Sequence, residues 1–223
     1  MTTILGVSCR SHDAAVSVVA DGEILFATHC ERYSRRKNDA QLAPAAIEEA
    51  MRYVDRIDEI AYYERDWLKR TRQGYAGQWR RAIGEPSVRS YLRRFPRLRH
   101  IPVHAVGHHE AHAAGAYRTS GFTDALVVVA DAIGEWDTVS VWDARGDALR
   151  RVGLVRYPHS VGLLYSALTD RAGLRPNEEE YILMGLAAFG SGALTDVLWD
   201  DLVASDAWPD FRLTRNVHRG MRW

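Results

Sequence analysis

The residues best placed to do chemistry lie in GHHEAH, where His108 and His112 stand four apart. On a helix that spacing projects both imidazoles from one face, one turn apart, so that they can share a metal ion. A helical His-x-x-x-His pair suits zinc or iron and is usually completed by a carboxylate from elsewhere in the fold. The plain alternative is a polar, solvent-exposed helix start. What favours the metal is the order of elements: the helix directly follows a strand, and Asp131 ends the next apolar run, ALVVVAD. Both would then lie at one edge of a sheet, where ligands bind in open α/β folds. His109 points away from the pair, either supporting it from behind or lying at the surface. Glu110 is displaced by one residue from the position that the metalloprotease motif requires, which leaves a peptidase reading weak.

Three further groups are candidates. His12 and Asp13 occupy the turn in SCRSHDAAVSVV, where a histidine can accept a proton from an attacking hydroxyl, or can simply be an exposed turn residue. Glu31, Arg32 and Lys37 follow a strand in CERYSRRKND and can offer positive charge to a phosphate or carbonyl oxygen, although such runs are commonly solvated. DAIGEWD, Asp131 to Asp137, gives a carboxylate, a glycine turn and a second acid, similar to the phosphate-binding hairpin of actin-like ATPases. Ala132 stands there where a glycine is usual, which restricts backbone approach to a phosphate.

These groups need a scaffold. Strands are expected at Thr3 to Cys9, Ala14 to Ala20 and Glu23 to Cys30, with Asp21-Gly22 as a tight hairpin. A helix from Pro44 to about Val54 and a strand in IDEIAYYE follow. From Arg65 to Arg99 eleven Arg or Lys residues face only Asp66 and Glu85, with five aromatics among them, and this stretch reads as a helical excursion. Then come a strand at Ile101 to Val106, a helix from His108 to Tyr117, the Asp131 strand, and a hairpin of Thr138 to Asp143 with Leu149 to Tyr157. Helices are expected at Val161 to Arg171, Glu178 to Phe189 and Leu194 to Ser205. A three-strand meander followed by two helix-strand units resembles the α/β, ribonuclease-H-like lobe of actin-like and sugar-kinase-like ATPases (the ASKHA fold), with an incomplete second lobe beginning near Asp131.

Composition sets outer bounds. The 223 residues are 47% hydrophobic and 26% charged, enough for a sizeable core. Twenty-nine basic residues balance twenty-nine acidic ones, so no overall field draws the chain to nucleic acid or membrane. Cys9 and Cys30 sit in apolar runs and read as small buried hydrophobes, which suits a reducing cytoplasm. No signal peptide or membrane span is expected.

Five segments in order resemble the NodU/CmcH carbamoyltransferases, a family that includes tobramycin-modifying and cephamycin-pathway enzymes: ILGVSCRSHDAAVSVVADGEI, CERYSRRKND, GHHEAHAAGAY, VVVADAIGE, and VGLLYSALT with EEYILMGLAAFG. The resemblance runs from about Ile4 to Gly190 and implies a Kae1-like lobe over residues 1–130, with its basic excursion at 65–100, and the truncated start of a second over 131–223. It implies that a YrdC-like domain, absent here, makes carbamoyl-adenylate from carbamoyl phosphate and ATP. The Kae1-like part would pass the carbamoyl group to a hydroxyl of a small-molecule acceptor. By the same resemblance His108, His112 and Asp131 hold a divalent metal, iron or else zinc, His12 deprotonates the acceptor, and Lys37 and Arg10 meet the donor. Ile182 departs from the family's lysine in its Glu-Tyr-Lys-x-Met-Gly-Leu-Ala segment.

Two other readings compete. One is a Kae1-type protein of threonylcarbamoyl transfer to transfer RNA, with the basic excursion as RNA groove; the neutral overall charge speaks against nucleic acid. The other is a non-catalytic fragment. The carbamoyltransferase reading also implies a second chain able to supply the carboxy-terminal half.

Overall fold

The computed structural model describes residues 2–208 and 210–217. The chain divides into two compact units, one running to His108 and the other starting at His109. That division falls in the first turn of one helix, all but one residue of which belongs to the second unit.

In the first unit, alternating burial along the chain makes the sheet. Leu5 and Val7 in β1 (Thr3–Ser8) and Val16 and Val18 in β2 (Ala15–Ala20) point into one core, with their neighbours half-exposed. β3 (Glu23–His29) completes an antiparallel meander. The β2–β3 turn forms as expected, with Asp21 at φ 47° and Gly22 at φ 90°, the left-handed pair that matches strand twist. After a single turn of helix, α1 (Glu31–Ser34), comes α2 (Pro44–Ala50), which starts on proline at its first turn and buries Ala46, Ile47 and Ala50. α2 ends four residues earlier than expected. Its last turn tightens, Arg52 N–H bonding to Glu49 O and Tyr53 N–H to Ala50 O.

β4 (Glu59–Tyr62) then pairs parallel with β1. The basic stretch forms three short helices, α3 (Asp66–Tyr75), α4 (Trp79–Gly84) and α5 (Val88–Leu92). Gly77 at φ 76° and Pro86 interrupt them. Its aromatics divide: Trp67, Tyr75 and Trp79 are exposed, whereas Tyr91 and Phe95 join the core beneath the sheet. β5 (Val103–Ala105) closes the order β3-β2-β1-β4-β5, parallel to β4. An antiparallel meander extended on the β1 side by two parallel strands is the ribonuclease-H-like arrangement expected. Cys9 and Cys30 are both buried and unbridged, and burial pushes the Cys9 thiol up to about 12.

From its second residue on, α6 (His108–Ser120) belongs to the second unit and is followed there by a second meander, β6 (Asp124–Gly134), β7 (Asp137–Arg145) and β8 (Ala148–Arg156), in that order. Ala113 and Tyr117 of α6 pack on Val127, Val129, Trp142 and Ala144. β6 runs three residues beyond Asp131, because its register slips between Ala130 and Gly134 and the strand resumes pairing at Gly134–Asp137. α7 (Val161–Arg171) has the expected bounds and is capped by Ser160, whose hydroxyl accepts the Leu163 N–H. α8 (Glu180–Ala187) and α9 (Thr195–Leu202) follow. α9 stops short of Ser205: Val203 is extended and begins β9 (Val203–Ser205), which pairs with β10 (Arg212–Leu213) and lets Leu213 bury. Among the described residues no helix is long and apolar enough to cross a membrane.

Candidate metal centre

The rotation of α6 decides what its histidines face. His109, Ala113 and Tyr117, spaced by four, are its buried stripe. That leaves His108 and His112 on the adjoining stripe, toward β6. One ligand atom each of His108, His112 and Asp131 lies within 4.8 Å of the others. Two donors bound to one ion at ~2.1 Å stand at most ~4.2 Å apart, so small rotamer changes close the set. Two imidazoles and one carboxylate form the borderline-soft donor set that zinc and ferrous iron accept, and three protein ligands leave positions open for a reactant. The residues therefore fit a metal.

The backbone carrying Asp131 is clamped. Asp131 Oδ1 accepts the Ala132 N–H at 2.6 Å, and the Ser160 hydroxyl donates to Ala132 O at 2.7 Å. Gly162, in the first turn of α7, lies so close that a Cβ there would come within 2.8 Å of Ala132 Cα and Asp131 O. Here the chain needs its glycine on α7, against Ala132. His109, behind the ligand pair, is 2% exposed and its Nδ1 lies 2.8 Å from Ser140 Oγ, which accepts the Trp142 Nε1 proton at 2.8 Å. Of the two expectations for His109, support from behind is the one the burial agrees with. The carboxylate of Asp137 lies 3.0 Å from Arg151 and 3.6 Å from Arg156.

In the first unit, His12 is 74% exposed and its Nδ1 lies 2.9 Å from Asp13 Oδ2. Because a carboxylate only accepts, Nδ1 is the donor in this contact, and in the neutral ring the lone pair then lies on Nε2. Lys37 is exposed on a turn. Arg10 is buried at its guanidinium, 2.7 Å from Asp66 and 3.5 Å from Glu85. Burial, the largest single effect, would lower its pKa, but the Asp66 hydrogen bond and the attraction of the acidic groups of Tyr62, Asp66 and Cys9 together outweigh it and hold Arg10 above its ordinary value. Ser140 and Gly162 had no part in the sequence reading, and Asp66 and Glu85 entered it only as the two acids of the basic excursion. Only Ser160 and Gly162 leave a local trace, as a capping residue and a small residue opening a helix.

Comparison with known proteins gives the family. Residues 76–220 match the family described as Carbamoyltransferase N-terminus, and the chain belongs to that family. An uncharacterized protein of Synechocystis sp. is 34% identical over 96% of this chain and 39% of its own length. The nodulation protein NolNO of Sinorhizobium fredii is 27% identical over 82% of this chain and 28% of its own. The chain thus spans well under half the length of these relatives. Among solved structures, YeaZ from Pseudomonas aeruginosa aligns over 71% of this chain and 68% of its own, at 16% identity and a TM-score of 0.42.

Proposed function

We propose that this chain serves as the amino-terminal part of a carbamoyltransferase, moving a carbamoyl group from carbamoyl-adenylate to a hydroxyl of a small-molecule acceptor. The observation that carries this reading is the His108–His112–Asp131 donor set in a chain of the carbamoyltransferase N-terminus family. A divalent iron or zinc ion held by these three would supply Lewis-acid polarisation of the carbamoyl carbonyl. His12 Nε2 takes the acceptor proton while Asp13 holds the ring through Nδ1. The acceptor oxygen bonds to the carbamoyl carbon, and the bond from that carbon to the adenylate phosphate oxygen breaks, its electron pair leaving with AMP. Lys37 is the exposed cation offered to the donor's phosphate. Arg10, whose charge Asp66 and Glu85 already engage, acts on the turn and not on the donor.

Carbamoyl phosphate and ATP enter through a YrdC-like part, in the same polypeptide or as a second chain. Support for a partner surface comes from the second unit, where Leu126 and Val128 on β6 and Tyr181, Met184 and Phe189 on and just after α8 are largely exposed. The test is transfer of labelled carbamoyl from carbamoyl phosphate, with ATP and a YrdC-like protein supplied, to a pool of hydroxylated acceptors. Transfer that disappears in His12→Ala and His112→Ala supports the proposal. Transfer indifferent to both substitutions removes it.

A further inference from the structure

The first unit buries a charge cluster that the reaction above leaves unused. Arg10 Nη1 meets Asp66 Oδ1 at 2.7 Å, and Arg10 Nη2 lies 3.5 Å from Glu85 Oε2. Lys69 Nζ lies 2.8 Å from Glu64 and 3.9 Å from the same Glu85 carboxylate. Side-chain exposure is 7% at Arg10, 11% at Lys69 and 5% at Glu64. Remaining lone pairs are used as well: Tyr62 donates to Glu64 at 3.1 Å and the Val88 N–H to Asp66 Oδ2 at 2.7 Å. Charges are removed from water at high cost unless paired and hydrogen-bonded in this way, so a cluster of this kind marks a geometry that is being specified.

What it specifies is the turn that begins at Arg10. Arg10 at φ 76° and Asp13 at φ 47° are both left-handed, a conformation that residues with a Cβ hold only when their surroundings impose it. The ends of the turn are pinned through the backbone, Arg10 N–H to Ala40 O and Ala14 N–H to Asp39 O, each at 2.7 Å. The guanidinium of Arg10 adds a third anchor, to α3 through Asp66 and to the residue before Pro86 through Glu85. These are the two acids of the basic excursion, and both turn inward to Arg10.

We propose that Asp66 and Glu85 are positioning residues: through Arg10 they fix the 10–13 turn, so that Asp13 keeps His12 in its Nδ1–H form with Nε2 free to take a proton. The excursion is thereby assigned a function, as the buttress of the proposed base. Its significance for turnover rests on the proposed role of His12; the geometry is measurable without turnover.

The experiment is nitrogen NMR of ¹⁵N-histidine-labelled full chain, reading the His12 tautomer ratio at a pH where the ring is neutral. The wild type is expected mainly as Nδ1–H. Asp66→Asn/Glu85→Gln should lower the Nδ1–H to Nε2–H ratio by about tenfold, the factor that a charge-assisted hydrogen bond sustains. Arg10→Lys, which keeps the charge, should stay nearer the wild type than the double variant does. Foldedness is read from the protection of the Cys9 and Cys30 thiols. If the double variant does not fold, Glu85→Gln alone, at the longer and more exposed contact, should still move the ratio in the same direction. An unchanged ratio in either folded carboxylate variant overturns the inference and assigns the turn to its backbone anchors. Carbamoyl transfer indifferent to His12→Ala would instead sink the base role, leaving the tautomer result intact.

Discussion

Ser140 Oγ stands 2.8 Å from His109 Nδ1 and at the same distance from Trp142 Nε1, tying α6 to β7 through one hydroxyl. The indole nitrogen can only donate, so Ser140 accepts there and has its own proton for the imidazole. Ser140→Ala leaves two buried polar atoms without that partner. The expected loss of stability is about 1–3 kcal/mol, read by urea denaturation. Because His109 precedes Glu110 on the turn that joins the two ligand histidines, metal affinity should fall as well, on the order of tenfold. Equal urea midpoints for the variant and the wild type would dismiss the link.

Metal itself should stabilise the fold. An ion bound by the folded chain alone adds RT ln(1 + [L]/Kd), about 2.7 kcal/mol at a hundredfold excess over Kd. Adding Fe(II) under anaerobic conditions, or Zn(II), should raise the thermal midpoint of the wild type. It should leave His108→Ala/His112→Ala unmoved, and elemental analysis should show near-stoichiometric metal only in the wild type. A midpoint raised equally in both proteins would place the metal elsewhere.

How far the sequence carried depends on the range of the interaction. The spacing of His108 and His112 on α6 follows from helix period alone, and the turn at Asp21-Gly22 follows from local chemistry, so both were legible. Arg10 and Asp66 are separated by 56 positions, and His109 and Ser140 by 31. No local pattern announces such partners, because only the folded sheet brings them together. Asp131 illustrates the middle case. Its strand was visible as an apolar run, but the register slip that carries β6 on to Gly134 depends on the pairing with β7. The end of α9 was lost for a like reason: Val203 leaves the helix to pair with Leu213.

Lys69, one of only two lysines in the chain, should prove structural. Lys69→Met leaves the Glu64 carboxylate, which is 5% exposed, without the cation 2.8 Å away. Breaking one side of a buried pair costs about 3–5 kcal/mol, whereas removing both charges is often nearly neutral. Urea denaturation should therefore show a large loss for Lys69→Met and recovery of most of it in Lys69→Met/Glu64→Gln. Additive losses in the double variant would contradict the pairing argument.

Acid should loosen the β9–β10 segment through His159. Burial, then the charge of Arg212, lowers the His159 pKa below its ordinary 6.5, with Asp210 opposing. Its Nδ1 accepts the Leu213 N–H at 3.1 Å, a bond that a proton on Nδ1 abolishes. As pH falls through 6.5 the unfolded chain takes up this proton first, so the stabilisation is complete above that value and is lost toward the lower folded pKa. Hydrogen exchange at Leu213, corrected for intrinsic rate, should accelerate as pH falls below 6.5, where the depressed histidine takes up its proton. His159→Gln, which keeps an acceptor without the titration, should flatten that dependence; an identical acceleration in the variant would locate the sensitivity in another group.

Gly162 offers the sharpest test of how Asp131 is held. A methyl group there would meet Ala132 N, Ala132 Cα and Asp131 O, each at 2.8 Å, and all three are backbone atoms that cannot rotate aside. Either α7 or the Asp131–Ala132 backbone must move. Gly162→Ala should cost about 1–3 kcal/mol in urea denaturation, the usual range for overpacking. The displaced carboxylate should weaken metal binding as well. Gly115, on the exposed side of α6, is the control, since nothing lies within 4 Å of a Cβ built there. Gly115→Ala should leave metal affinity unchanged and add up to about 1 kcal/mol through helix propensity. If Gly162→Ala weakens metal binding while Gly115→Ala does not, the close approach of α7 is what sets the third ligand. If both leave affinity intact, Asp131 reaches the metal by its side-chain rotamer alone, and the Ser160–Gly162 clamp serves only the packing of α7.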